Sequence, residues 1–211
     1  EVYSFTRLCH RVFTEWGGMA GEYVTDAARQ LLMNLALDQT RDQLSVYSRP
    51  AKSTAFVGRM LRQVDEFKNA GVSPDRLQSV CEQLEGDSAL AGKTREMALI
   101  YTYYQALLQN RFQDEKDSLL NCCRLLEGQG YFRGCTVFID SFMTFMAGEK
   151  QLIRIILSEC EELYITFPTD RLGEGQRQSP SDGELPVEDG TFDTARDTLR
   201  ELCRDAKQMQ V

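Results

Sequence analysis

Asp140 closes the run C-T-V-F-I-D at residues 135–140, an apolar, β-branched pattern that reads as a short buried strand with a carboxylate at its tip. A phosphate-hydrolysing α/β fold holds Mg²⁺ at such a tip. The next residue is Ser141. Hydrolysis needs a neighbouring carboxylate there to orient or deprotonate the attacking water, and a serine hydroxyl has neither the charge nor the basicity. No catalytic residue and no metal is assigned to this pair. The reading favoured for Asp140 is a cap on a turn or on the following helix.

The elements that must position this tip alternate in period. Residues 2–5 are short and β-prone and read as a first buried strand, and Thr6 can cap a helix that stops at Gly17 and Gly18. Helical spacing then dominates. Leu31, Leu32 and Leu35 fall on one stripe, Phe56, Met60, Leu61 and Val64 on another, and Ser73-Pro74 opens a helix with Leu77, Val80, Cys81 and Leu84 inward, broken at Gly86 and Asp87. Residues 93–111 and 114–126 carry the last two helical stripes. Tyr101, Tyr103 and Tyr104 read as packing residues, Cys122-Cys123 as structural, and the acidic run Asp114, Glu115, Asp117 as a response to the helix dipole. Short apolar runs at 136–139 and 163–167 bracket a helix over 149–157, which makes a β-α-β unit and a parallel pair. Residues 169–190, rich in Gly, Pro, Ser and acids, read as an exposed loop, and 191–209 as a polar helix docked on the sheet.

The expected fold is therefore α/β and mostly helical, a small parallel sheet with a large inserted helical subdomain. Residues 1–18 and 131–211 form a partial α/β core and residues 19–130 the helical insert. The G-K-T at residues 92–94 does not make a phosphate loop. Five residues separate Gly86 from Gly92 where a phosphate loop has four, and a helical pattern precedes it where a strand is required.

The bulk numbers narrow the function. With 211 residues, 42% of them hydrophobic, the chain can bury a core. A formal charge of -8 argues against a broad basic face that grips duplex DNA, and leaves room for local contacts to a single strand. Seven cysteines with no C-x-x-C pair fit reduced thiols and a cytoplasmic protein, and no run approaches the roughly 20 apolar residues of a membrane helix. The chain begins at Glu1 with a strand-like run, which reads as a piece of a longer polypeptide.

Three segments resemble the superfamily 1 DNA helicases of the UvrD and RecB kind, in the right order: residues 4–12 (S-F-T-R-L-C-H-R-V), 100–126, and 137–153 (V-F-I-D-S-F-M-T-F-M-A-G-E-K-Q-L-I). The chain is more closely similar to the degenerate AddB (RexB) family. That family's patterns S-F-S-R-L, E-x-G-G, K-x-x-D-x-x-x-I-Y, y-x-D-x-E-D-x-L and I-D-G-F-x-x-F-x-x-x-E match residues 4–8, 15–18, 93–101, 112–119 and 139–149. Departures include Glu96 for Asp, Ser141 for Gly and Ala147 for Pro, and Asp140-Ser141 resembles a vestigial Walker B pair.

The resemblance implies a RecA-like sheet and a subunit of a helicase-nuclease that processes DNA double-strand breaks for recombinational repair. An AddA-type motor subunit would supply ATP-driven translocation, while this part guides single-stranded DNA and scans it for a Chi-type hotspot. It implies DNA-binding roles for Phe5, Thr6, Arg7, His10 and Phe142, converging on the carboxyl rim of one sheet. ATP, Mg²⁺ and an iron–sulfur cluster belong to the parent complex, and neither nuclease motifs nor cluster cysteines lie in this chain. Two alternatives stand beside it: a working ATPase whose base is supplied elsewhere, and a helical adaptor that binds only proteins.

Overall fold

The computed structural model describes residues 1–18, 22–49, 53–83, 89–109, 112–168 and 192–209. The expected loop at 169–190 and the break at Gly86 and Asp87, with Leu84 before it, lie outside the described residues. The chain forms two compact units, Glu1–Cys122 and Cys123–Val211.

The first unit opens with α1 (Phe5–Trp16). Ser4, not Thr6, is its N-cap: the Ser4 hydroxyl accepts from the Arg7 N–H at 3.2 Å, and at the other end the Gly17 N–H (φ 79°) closes on the Phe13 carbonyl. This corrects the expected strand at 2–5. Val2 is 88% exposed and Phe5 is already helical, because a serine followed by helix formers caps more readily than a four-residue run can pair without a neighbouring strand.

A parallel pair that the sequence did not reveal follows. β1 (Glu22–Tyr23) lies beside β2 (Phe112–Gln113), with Tyr23 opposite Gln113. Between them run α2 (Asp26–Thr40), a 3₁₀ turn (Arg41–Gln43), α3 (Thr54–Asn69), α4 (Pro74–Gln83) and α5 (Ala89–Gln109). The chain therefore enters and leaves the helical block at one neck. The G-K-T lies inside α5, as a helical residue set must.

The helical core is built on α5, where Met97, Ile100, Tyr101, Tyr104 and Leu108 meet Met33 and Leu37 of α2, Met60 and Val64 of α3, and Leu77 of α4. Tyr101 and Tyr104 are buried, as their spacing implied. Leu31 and Leu35 are not: they stand 70% and 43% exposed, and Val80 38%, because α2 and α4 turn their other faces to α5.

Two buried polar knots hold this packing in register. Glu96 on α5, 6% exposed, accepts from the Ser45 N–H and hydroxyl (both 2.7 Å) and from the N–H groups of Val46 and Tyr47 (both 2.8 Å). Burial pushes its carboxyl up, but these four donors outweigh it and hold the group below the usual carboxylate range. The second knot is an ion triad. Lys68 Nζ at the end of α3 reaches Asp114 Oδ2 at 2.8 Å and Asp117 Oδ2 at 2.7 Å, with Lys68 and Asp114 side chains each 3% exposed. The acidic run is thus more than a dipole response; two of its members clamp the neck to α3.

The second unit completes α6 (Glu115–Leu126), which spans the division, and continues through β3 (Thr136–Ile139), α7 (Ala147–Glu159), β4 (Glu162–Ile165) and α8 (Asp193–Met209). β3 and β4 are parallel, in the register Thr136↔Glu162 to Ile139↔Ile165, as the β-α-β pattern requires. Leu152, Ile153 and Ile156 bury the inner side of α7, while α8 docks on α7 through Lys150–Glu201 (2.5 Å) and Arg154–Asp205 (2.8 Å). Among the described residues β3 pairs with β4 alone, so a sheet that also holds residues 2–5 is not formed.

Lys68→Met leaves two acidic groups facing each other at the neck and is expected to cost about 3–5 kcal/mol in denaturant unfolding. Because the folded state lowers the Glu96 pKa, its contribution is full above the ordinary glutamate range and fades as pH falls through that range and below. Glu96→Gln is expected to cost about 1–3 kcal/mol at pH 7. It should also flatten the acid limb of a Tm-against-pH curve.

Candidate nucleic-acid interface and strand-tip site

Within the first unit, α1 presents the expected residues outward. Thr6, Arg7 and His10 are exposed and Phe5 is half-buried, while Cys9, Val12 and Phe13 face inward. Helical spacing puts Arg7, His10 and Arg11 on one stripe. Tyr3 joins it: the guanidinium carbons of Arg7 and Arg11 lie 6.0 Å and 5.4 Å from its ring centre. Arg11 is further engaged by Glu15 at 2.7 Å and by Glu1, and the Glu15, Tyr3 and Glu1 contacts raise its pKa, so it stays charged.

Arg7 contrasts with it. Its contact is the Tyr3 ring, and it forms no ion pair among the described residues. His10 faces Tyr23 with ring centres 6.4 Å apart at 58°. Tyr3, Arg11 and Tyr23 were not singled out from the sequence. Arg11 was legible as the i+4 neighbour of Arg7; Tyr3 and Tyr23 were not, since their relation to α1 depends on how the chain turns at each end of the helix.

In the second unit the strand tips form a small closed arrangement. The Thr166 hydroxyl, just past β4, donates to Asp140 Oδ1 and accepts from the Ser141 N–H at 3.3 Å, while the Thr166 N–H donates to the Ile139 carbonyl at 2.9 Å. Asp140 therefore ties one strand end to the other. It does not cap α7, whose first turn is closed by the Glu149 carboxylate accepting from the Met146 N–H at 2.8 Å. Among the described residues no group of three or more His, Cys, Asp or Glu side chains is placed to hold a metal ion.

Ser141 has φ 67°, the only non-glycine residue at positive φ among the described residues. The left-handed backbone turns the chain sharply off β3 and starts Phe142 along the rim. Phe142 is half-buried against Phe145 (5.1 Å, 30°), and Phe145 in turn meets Phe167 edge-on at 6.2 Å and 82°. Met143 and Met146 stand 39% and 53% exposed beside them. The site thus offers apolar and aromatic surface next to one bonded carboxylate.

A side chain in the left-handed region costs about 1 kcal/mol that glycine avoids. Ser141→Gly is therefore expected to stabilise the protein by about 0.5–1 kcal/mol in chemical unfolding, whereas Ser141→Val is expected to destabilise it.

The chain also matches known proteins along its length. The family model described as "ADDB, N-terminal" covers residues 1–211. The chain is 30% identical over 189 residues to an ATP-dependent helicase/deoxyribonuclease subunit of Clostridium tetani, covering 89% of this chain and 16% of that protein. It is 28% identical over 208 residues to the protein of the same name from Acetivibrio thermocellus, covering 99% and 17%, and 30% identical over 187 residues to that of Clostridium kluyveri, covering 89% and 16%. The chain spans about a sixth of the length of the curated relatives it matches. On the match over its whole length, and on the motifs now located on α1, α5, α6 and the β3 tip, this chain belongs to the AddB N-terminal family.

Proposed function

We propose that this chain is a non-hydrolytic, helicase-like part of an AddB-type subunit that guides and interrogates single-stranded DNA during break processing. The observation that carries it is the strand tip. Asp140 accepts from Thr166, the following position is a serine in a left-handed turn, and the rim beyond is aromatic. Such a tip suits holding a strand better than splitting a phosphoanhydride. Mg²⁺–ATP would find one carboxylate already hydrogen-bonded and no adjacent base, so these residues fit that group poorly.

In this reading residues 131–211 carry part of a RecA-like core, and residues 19–130 are an insert gathered at the β1–β2 neck. Phe5 and Phe142 stack on bases, each contact worth about 1–3 kcal/mol, and His10 adds a smaller ring. Arg7 takes a phosphate or a guanine edge, with Thr6 as a hydrogen-bonding neighbour. Tyr3 and Arg11 prearrange the Arg7 stripe. The charge of -8 means such a site acts on a strand delivered to it, not one captured from solution by a basic surface. An AddA-type motor would deliver it, in the cytoplasm, and arrest at a Chi-type sequence would follow from base-specific contacts here.

The working-ATPase alternative and this reading differ in one rate. In the full-length subunit, Asp140→Ala is expected to leave ATP turnover unchanged; an Asp140-dependent rate would establish the motor. Arg7→Ala is expected to weaken single-strand binding of the motor-bound complex about 5- to 50-fold by fluorescence anisotropy, equivalent to ~1–2.3 kcal/mol. Unchanged binding would remove α1 from the site and favour a protein-binding adaptor.

A further inference from the structure

Tyr23 is gripped from two sides by one short segment of the first unit. Its backbone on β1 pairs with β2, where Gln113 is its register partner, and its hydroxyl accepts from the Ser118 hydroxyl at 3.4 Å, near the start of α6. Residues 113–118 are themselves fixed, because Lys68 bonds Asp114 at 2.8 Å and Asp117 at 2.7 Å inside that stretch. A tyrosine tied at its backbone and at the far end of its ring has little room to swing about its two side-chain torsions.

The free part of the Tyr23 ring faces α1. The side chain is half-buried, and its ring centre lies 6.4 Å from that of His10 with the planes tilted by 58°, within the range over which two aromatic rings attract. His10 is exposed, and its side chain forms no hydrogen bond or ion pair among the described residues. An unsupported imidazole on a helix surface exchanges among rotamers, and freezing it against a bound base costs entropy. A ring already fixed beside it removes part of that cost before the base arrives. The inner side of α1 is seated on the same helix, since the buried Cys9 thiol hydrogen-bonds Cys122 of α6, so the backbone under His10 and the support beside it share one frame.

We propose that Tyr23 is a positioning residue for the nucleic-acid interface: it carries the rigidity of the Lys68-clamped neck to the His10 ring and holds that ring presented to a base of a single strand. The inference rests on the strand-guiding reading and extends it, placing the support of the α1 stripe on β1 and α6. Tyr23 acts through His10, so its effect exists only while His10 has a ring to hold.

A double-substitution cycle in the full-length subunit bound to its motor tests this. Binding of a fluorescein-labelled single-stranded oligodeoxynucleotide is read by anisotropy, and folding by the melting temperature. His10→Ala is expected to weaken binding about 5- to 10-fold, the low end of a base stacking on a ring. Tyr23→Leu is expected to weaken it about 3- to 5-fold, but by less than about 1.5-fold when His10→Ala is already present. Tyr23→Phe, which keeps the ring, is expected to bind within about twofold of the unsubstituted complex. If Tyr23→Leu lowers the melting temperature, Tyr23→Met keeps apolar bulk without a ring and takes its place.

Weakening by Arg7→Ala while either His10→Ala or Tyr23→Leu has no effect would overturn the inference and leave strand guiding intact. A Tyr23→Leu loss that multiplies in full with that of His10→Ala would overturn it too, since Tyr23 would then act on its own. So would binding as weak with Tyr23→Phe as with Tyr23→Leu. Binding unchanged by Arg7→Ala, His10→Ala and Tyr23→Leu alike would remove the interface itself and take the inference with it.

Discussion

The hydrogen bond between the Asp140 carboxylate and the Thr166 hydroxyl organises the strand tips of the second unit. It joins the ends of two parallel strands, and through the Ser141 N–H it also fixes the turn that leads into Phe142. A carboxylate used in this way contributes order at the strand tips. The left-handed Ser141 completes the effect by bending the backbone off β3.

The helical block depends on a different constraint, the neck. β1 and β2 are two residues each, too short to hold their own pairing, so the Lys68 triad acts as their anchor. Lys68 brings the end of α3 to the start of α6, and Glu96 fixes the turn after α2 onto α5. Buried charges of this kind add little net stability over apolar packing, yet they forbid alternative registers because a misplaced partner leaves an ion unpaired. That suits a block whose chain must return to the point where it departed.

Much of this was legible in the sequence where periodicity was long. α3, α5 and α6 follow their apolar stripes, and the β3–α7–β4 unit follows the change from a helical to a strand period. The failures have local causes. Residues 2–5 looked like a strand because alternation over four residues does not distinguish a strand from the extended lead-in to a capped helix. Leu31 and Leu35 looked inward because α2 carries leucines on more than one side, and only the position of α5 decides which are buried. The β1–β2 pair and the Lys68 triad join residues separated by tens of positions, and no local pattern encodes such pairings. At the site, Asp140, Ser141 and Phe142 were recognisable from their order, whereas Thr166 was not, because a threonine after a strand is commonplace until its partner is known. Arg7 and His10 were read from motif likeness, and the contribution of Tyr3 came only with the turn into α1.

The central proposal is that α1 and the turn after β3 each touch a strand that something else moves. Photocross-linking of a single strand bearing photoreactive bases, in the full-length polypeptide engaged with its motor and stalled without hydrolysis, tests this most directly. The account predicts adducts at Phe5 on α1 and at Phe142 in the turn after β3. Efficient adducts elsewhere in the polypeptide with none on those two peptides would contradict it.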